Sequence, residues 1–81
     1  MKKTLNEVNV GEVGTITRVA GTGVIRRRLF DMGITPGAEF EFRKKAPLGD
    51  PIEITIRGYE LTLRKVEAQN VEVDVTVKGG K

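Results

Sequence analysis

The chain of 81 residues has no cysteine, no histidine and no tryptophan. Without cysteine and histidine there can be no disulfide, zinc finger, iron–sulfur cluster, histidine-held haem, Cys–His nucleophile or Ser–His–Asp triad. The lack of cysteine is compatible with a reducing compartment. Apolar runs never exceed two residues, as at Val24-Ile25 and Leu29-Phe30, so no transmembrane helix can be built. Met1-Lys2-Lys3-Thr4 has no apolar segment behind it and does not read as a secretion signal. The expected place is the cytoplasm, with the chain not itself inserted in a membrane.

What is present is a globular balance of 38% hydrophobic and 31% charged residues, enough for one small domain over 1–81. So short a chain buries only about 60–65% of the surface it exposes unfolded. A large substrate cleft or a buried cofactor is not expected. The net charge of +3 permits an acidic protein partner or nucleic acid and requires neither.

Four stretches alternate apolar and polar residues with the period of half-buried strands. Phe40 and Phe42 form the first, and Ile52, Ile54 and Ile56 the second. Tyr59, Leu61 and Leu63 form the third, and Val71, Val73, Val75 and Val77 the fourth. A fifth strand, near Glu12 to Val19, needs a bulge at Gly14 to reconcile Ile16 with Val13, Thr15, Thr17 and Val19. Arg57-Gly58 is a two-residue loop. It pairs Ile56 with Tyr59, Ile54 with Leu61 and Ile52 with Leu63, all inward. A slip of one residue would expose one strand's apolar set.

One helix is predicted from Gly23 to Met32. Thr22 is its N-cap, Ile25, Leu29 and Met32 its buried stripe, and Gly33 its left-handed stop. Pro36-Gly37 turns into the Phe40 strand. Lys65 to Asn70 reads as a single helical turn, and Met1 to Lys3 and Gly79 to Lys81 as frayed tips. The fold class is mainly β: a small SH3-like five-stranded barrel with one short α-helix after the first strand, closed so that no sheet edge is left exposed. An OB-type barrel is the nearest rival.

Catalytic motifs are weak. Gly21-Thr22-Gly23 lacks the third glycine of a dinucleotide fingerprint, Arg26 standing in its place, and no Gly-Lys-Ser/Thr occurs. Glu39 and Glu41 point outward together as solvated carboxylates. No enzyme is expected. A metal site would rest on oxygen ligands alone, with Asp31, Asp50, Glu60 and Glu67 nearest to loops or element ends. This leaves room only for weak surface association of a divalent ion.

Arg26-Arg27-Arg28 spans about 200° of a helix and cannot all face a core. It is a solvated face, a docking surface for an acidic protein, or a nucleic-acid contact. The last lacks exposed aromatics for stacking, because Phe40, Phe42 and Tyr59 fall on core faces and only Phe30 is left. Ala46-Pro47-Leu48-Gly49-Asp50-Pro51 is a stiff connection, with two fixed φ angles, that projects Leu48. It is a plain connector or a partner-binding loop.

Arg28-Leu29-Phe30-Asp31-Met32-Gly33-Ile34-Thr35-Pro36-Gly37 resembles the R-L-x-x-M-G-[LI]-x-P-G segment of the FeoA family, ferrous iron transport protein A. Ala46 to Pro51 resembles that family's central loop. Gly58-Tyr59-Glu60-Leu61-Thr62-Leu63-Arg64, with Glu67-Ala68, is similar to its closing hairpin. In order, these segments cover about two-thirds of the chain. On this resemblance Leu29, Met32, Gly33, Pro36, Gly37, Pro47, Gly49, Asp50, Pro51 and Gly58 are the structural motif positions. The resemblance implies a small cytosolic SH3-like barrel. It would lie peripheral to the inner membrane and act by contact with FeoB, the Fe(II) permease with a cytoplasmic GTP-binding part. The same module occurs as the C-terminal domain of metal-dependent repressors related to the diphtheria toxin repressor.

The residues expected to make that contact are Val24, Phe30 and Leu48, lining a groove, with Arg26, Arg27 and Arg28 at its rim. A metal-responsive regulatory domain and a nucleic-acid-binding small barrel are the rival readings. A homo-oligomer joined through edge strands is compatible with the pattern.

Overall fold

Six strands, rather than five, form one antiparallel sheet in a computed structural model that describes residues 1–77. In chain order they are β1 (Lys2–Thr4), β2 (Val13–Val19), β3 (Glu39–Lys45), β4 (Ile52–Ile56), β5 (Tyr59–Leu63) and β6 (Val71–Val77). A 3-10 turn, Leu5–Glu7, follows β1, helix α1 (Gly23–Asp31) follows β2, and helix α2 (Lys65–Ala68) joins β5 to β6. The strand order is β1-β6-β2-β3-β4-β5.

The extra strand lies in the segment expected to fray. Lys2, Lys3 and Thr4 pair with Asp74, Val73 and Glu72. The Met1 ammonium donates to Asp74 Oδ1 at 2.8 Å and to Val75 O at 2.9 Å. The hydrogen bond and charge of that ammonium hold the exposed Asp74 carboxyl below its usual range. A lowered folded pKa means that this contact helps the fold above the unfolded value and is lost as pH falls through the folded one. Gly79 to Lys81, the other expected tip, lie outside the described residues.

The ladder does not close as expected. Among the described residues no pairing joins β1 to β5. Instead the 3-10 turn packs against α2, so two short helical pieces bridge the open side. Leu5 and Ala68 are both fully buried. The core they join takes Ile16, Phe40, Phe42, Ile52, Ile54, Ile56, Leu63, Val71, Val73 and Val75 from the strands, the alternating inward positions.

Bulges decide which residues face in. Gly14 and Ile16 point inward and Val19 rejoins them only because the register shifts between Ile16 and Arg18, which leaves Thr17 as the extra residue. Its hydroxyl donates to Glu72 O at 3.1 Å. The shift beside Gly14 is real, but its extra residue is Thr76 of β6. A third shift, between Phe42 and Lys44, leaves Arg43, Lys44 and Lys45 all exposed.

The β4–β5 hairpin has the register its sequence demands: Ile56 opposite Tyr59, Ile54 opposite Leu61, Ile52 opposite Leu63. Arg57 (φ 51°) and Gly58 (φ 85°) are both left-handed, as a type I′ turn requires. Arg57 is an unusual residue there. Its Nε donates to Gly33 O at 3.2 Å and its Nη2 to Thr35 Oγ1, so the conformation is held from the side-chain end. Tyr59 is not a core residue as expected. It is 43% exposed, and its hydroxyl donates to Met32 O at 2.8 Å, docking the hairpin onto the end of α1. Tyr59→Phe should lower stability by about 1 kcal/mol, the net worth of one hydrogen bond, read as a shift of the urea midpoint at unchanged slope.

Helix α1 buries Leu29 fully and Ile25, Phe30 and Met32 partly. Thr22 has extended N-cap geometry, without a side-chain cap bond. The C-terminus closes as a Schellman motif. Ile34 N donates to Leu29 O at 3.0 Å and Gly33 N to Phe30 O at 2.9 Å, with Gly33 at φ 93°. The hydrophobic partners of that motif, Leu29 and Ile34, are both at 0% exposure.

Candidate functional site

Three elements gather the residues singled out in the sequence: α1, α2 and the β3–β4 loop (46–51). Helix α2 is the joint. On one flank its Glu67 Oε2 meets Arg28 Nε of α1 at 3.1 Å. On the other, Lys65 N donates to Asp50 Oδ1 of the loop at 3.0 Å. Glu67 is nearly buried, and its Oε1 also accepts Arg64 N at 2.9 Å, capping α2. The far end of α2 is fixed to the segment entering α1. Asn70 Nδ2 donates to Val66 O at 2.9 Å, Ala20 N donates to Asn70 O at 2.6 Å, and the Asn70 side chain lies against Gly21.

Val24 lies one turn before Arg28, on the face of α1 that meets α2. It is 83% exposed. Val66, on α2 itself, is 60% exposed. Sequence reading missed Val66. The signal was there: in Lys65-Val66-Glu67-Ala68 the two last residues go inward, which turns Val66 out. Val24 and Val66 are thus exposed valines on two helices joined by the Arg28–Glu67 ion pair, with Arg27 and Arg28 within one turn of Val24.

The other expected residues divide. Phe30 is half-buried and packs against the core. The Arg26 guanidinium stacks 4.7 Å from its ring centroid, while Nε donates to Val19 O at 3.2 Å. Arg26 therefore braces the helix as well as charging it. Leu48 is 92% exposed, as the stiff loop demands. Its loop is tied to α2 through the Lys65 N–Asp50 Oδ1 bond, and among the described residues no hydrogen bond or ion pair joins it to α1 directly. The motif glycines act in the backbone: Gly37 and Gly49 have φ 93° and 81°, and Gly49 N donates to Ala46 O at 2.7 Å, closing a tight turn under Pro47-Leu48. Among the described residues, no three His, Cys, Asp or Glu side chains form a group that could hold a metal ion.

The sheet order, the helix after β2 and the bridged opening define a small SH3-like domain. The particular family is fixed by comparison: the FeoA domain model matches residues 3–75, and the chain belongs to the FeoA family. It is 37% identical over 71 residues, 88% of this chain, to the Fe(2+) transport protein A/Fe(2+) transporter FeoB fusion protein of Porphyromonas gingivalis. The match spans only 8% of that protein's length. The solution structure of a FeoA-like protein from Clostridium acetobutylicum superposes with a TM-score of 0.88 at 38% identity, covering 99% of this chain and 93% of that one. The Stenotrophomonas maltophilia FeoA, solved with zinc and described as a prokaryotic SH3 domain protein, gives 0.78 at 29% identity over 89% of each chain. The family is linked to ferrous iron transport through such relatives.

Proposed function

We propose that this chain is an accessory protein of bacterial ferrous iron uptake that works by protein–protein contact with the cytoplasmic GTP-binding part of a FeoB-type permease. The supporting observation is the Porphyromonas relative, in which a domain similar to this one and the transporter are a single polypeptide. Covalent fusion keeps two modules at a high effective concentration, which benefits partners that must meet. Catalysis has no part in this reading. The chain contributes surface, and its place is the cytoplasm, at the membrane face where the permease sits.

The contact uses the α1–α2 face. Val24 and Val66 supply the apolar centre, and Arg27 and Arg28 the border that meets acidic groups. Arg26 and Phe30 hold that face in position. The test is titration calorimetry of this chain against the purified GTP-binding domain. Val24→Asp and Val66→Asp should each weaken binding at least tenfold, since a buried charge at an apolar interface centre is unpaired. Their melting temperatures should stay unchanged because both positions are exposed. If the unaltered chain does not bind, the reading fails.

A further inference from the structure

The β3–β4–β5 ribbon is electrically polarised. Strands β3 and β5 both run antiparallel to β4 and so point the same way. β3 begins acidic and ends basic, and β5 carries an acid near its start and runs out into a basic pair. β3 reads Glu39-Phe40-Glu41-Phe42-Arg43-Lys44-Lys45. β5 begins Tyr59-Glu60, and Leu63 is followed by Arg64-Lys65. Five cations thus collect at the end where the 46–51 loop projects. The bulge at Arg43 keeps that residue, Lys44 and Lys45 all on the surface, and the Lys65 N–Asp50 Oδ1 bond brings the second pair to the same loop. The acids at this end are Asp50, which accepts that bond, Glu53, the cross-strand neighbour of Lys44, and Glu67, whose Oε1 accepts Arg64 N while its Oε2 is paired with Arg28. Glu41 offsets Arg43 at 3.6 Å. The excess is positive.

The apex of the loop is apolar. The turn closed by Gly49 N and Ala46 O puts Pro47 and Leu48 at its two central positions. There the body of the protein cannot cover Leu48, which is 92% exposed. An acidic protein face would complement the cations, but a single side chain on a convex tip finds no pocket on a flat rigid surface. A deformable anionic surface satisfies both features: it takes in the leucine and neutralises the ring of lysines and arginines.

The geometry points to the 46–51 loop as a docking device for an anionic lipid surface, with Leu48 inserted at the headgroup level and Arg43, Lys44, Lys45, Arg64 and Lys65 against the headgroups. None of these residues is among Val24, Val66, Arg27 and Arg28, the set assigned to a protein partner. The lipid contact stands whether or not the partner reading does.

Sedimentation with vesicles tests it. The chain should co-sediment with phosphatidylglycerol/phosphatidylcholine vesicles, at about one part in three anionic, and not with pure phosphatidylcholine. Lys44→Ala and Lys45→Ala should each weaken the partition about fivefold, the share of one basic residue near such a surface. Leu48→Ser should weaken it while leaving the melting curve unchanged. Val24→Asp should leave vesicle binding intact, and Leu48→Ser should leave titration against the GTP-binding domain intact, so the two surfaces fail separately. Equal binding to neutral and anionic vesicles, or indifference to Leu48→Ser and both lysine changes, overturns the proposal. So does absence of sedimentation. If sedimentation is absent and Lys44→Ala weakens binding to the GTP-binding domain, the basic end faces an acidic protein surface instead.

Discussion

Gly14→Val should abolish the native fold or lower its stability by more than about 3 kcal/mol. Gly14 sits in β2 where β6 carries its extra residue, Thr76. A β-carbon at position 14 would lie 2.5 Å from Asp74 O and 3.0 Å from Val75 Cα. Both are main-chain atoms of a paired strand, and neither can swing aside as a side-chain tip would. Accommodation requires β6 to move away from β2, and β6 also carries β1. The damage therefore spreads across half of the sheet. Gly14→Ala should cost about 2–3 kcal/mol by the same contact with less bulk. Urea denaturation followed by far-ultraviolet circular dichroism measures both. An alanine variant as stable as the native chain would mean that β2 and β6 relax apart without loss, and the close approach would lose its meaning.

The β4–β5 hairpin could be read from sequence because two independent signals coincide there, the period-two pattern and a two-residue turn. The end of α1 was equally readable, since Gly33 follows the Ile25–Leu29–Met32 stripe at the position a Schellman motif needs. Strand β1 could not be. Three residues, Lys2-Lys3-Thr4, offer no alternation and no core side chain. Their strand character comes entirely from β6, a partner some seventy positions away. Leu5 and Val8 were overlooked with it, although both are fully buried, because apolar residues around a 3-10 turn follow neither period. Thr17 shows the same limit inside a strand. Its bulge is set by how β2 must meet β6, not by its own chemistry.

In the candidate site, Val24 and Leu48 stood out as apolar residues without a place in any periodic face, and both are exposed. Phe30 stood out for the same reason and proved to be packed. A helix lying on a curved sheet buries a wider stripe than its strict i, i+4, i+7 positions. Arg26, one turn earlier, lies across the Phe30 ring and contributes to that burial.

Glu12→Ala should lower stability by about 3–4 kcal/mol, the cost of breaking a buried ion pair by removing one partner. Glu12 is 6% exposed, at the corner where the 3-10 turn meets β2 and β3. Its Oε1 accepts Asn9 N at 2.8 Å and Lys3 Nζ at 3.2 Å. The Lys3 side chain is itself only 17% exposed, so its ammonium cannot regain full hydration when the carboxylate goes. That separates this pair from Arg18–Glu72, where both side chains reach water (69% and 44% exposed) and little is expected from removal. Glu12→Gln keeps an acceptor for Asn9 and Lys3 and loses only the charge, for about 1–2 kcal/mol. The ordering Ala far worse than Gln is thus expected, with little dependence on salt because the pair is shielded from counterions. If Glu12→Ala falls within 1 kcal/mol of the native chain, Lys3 must reach water freely. The attachment of β1 to the rest of the sheet would then rest on its ladder with β6 and on the Met1 ammonium's bonds to Asp74 and Val75.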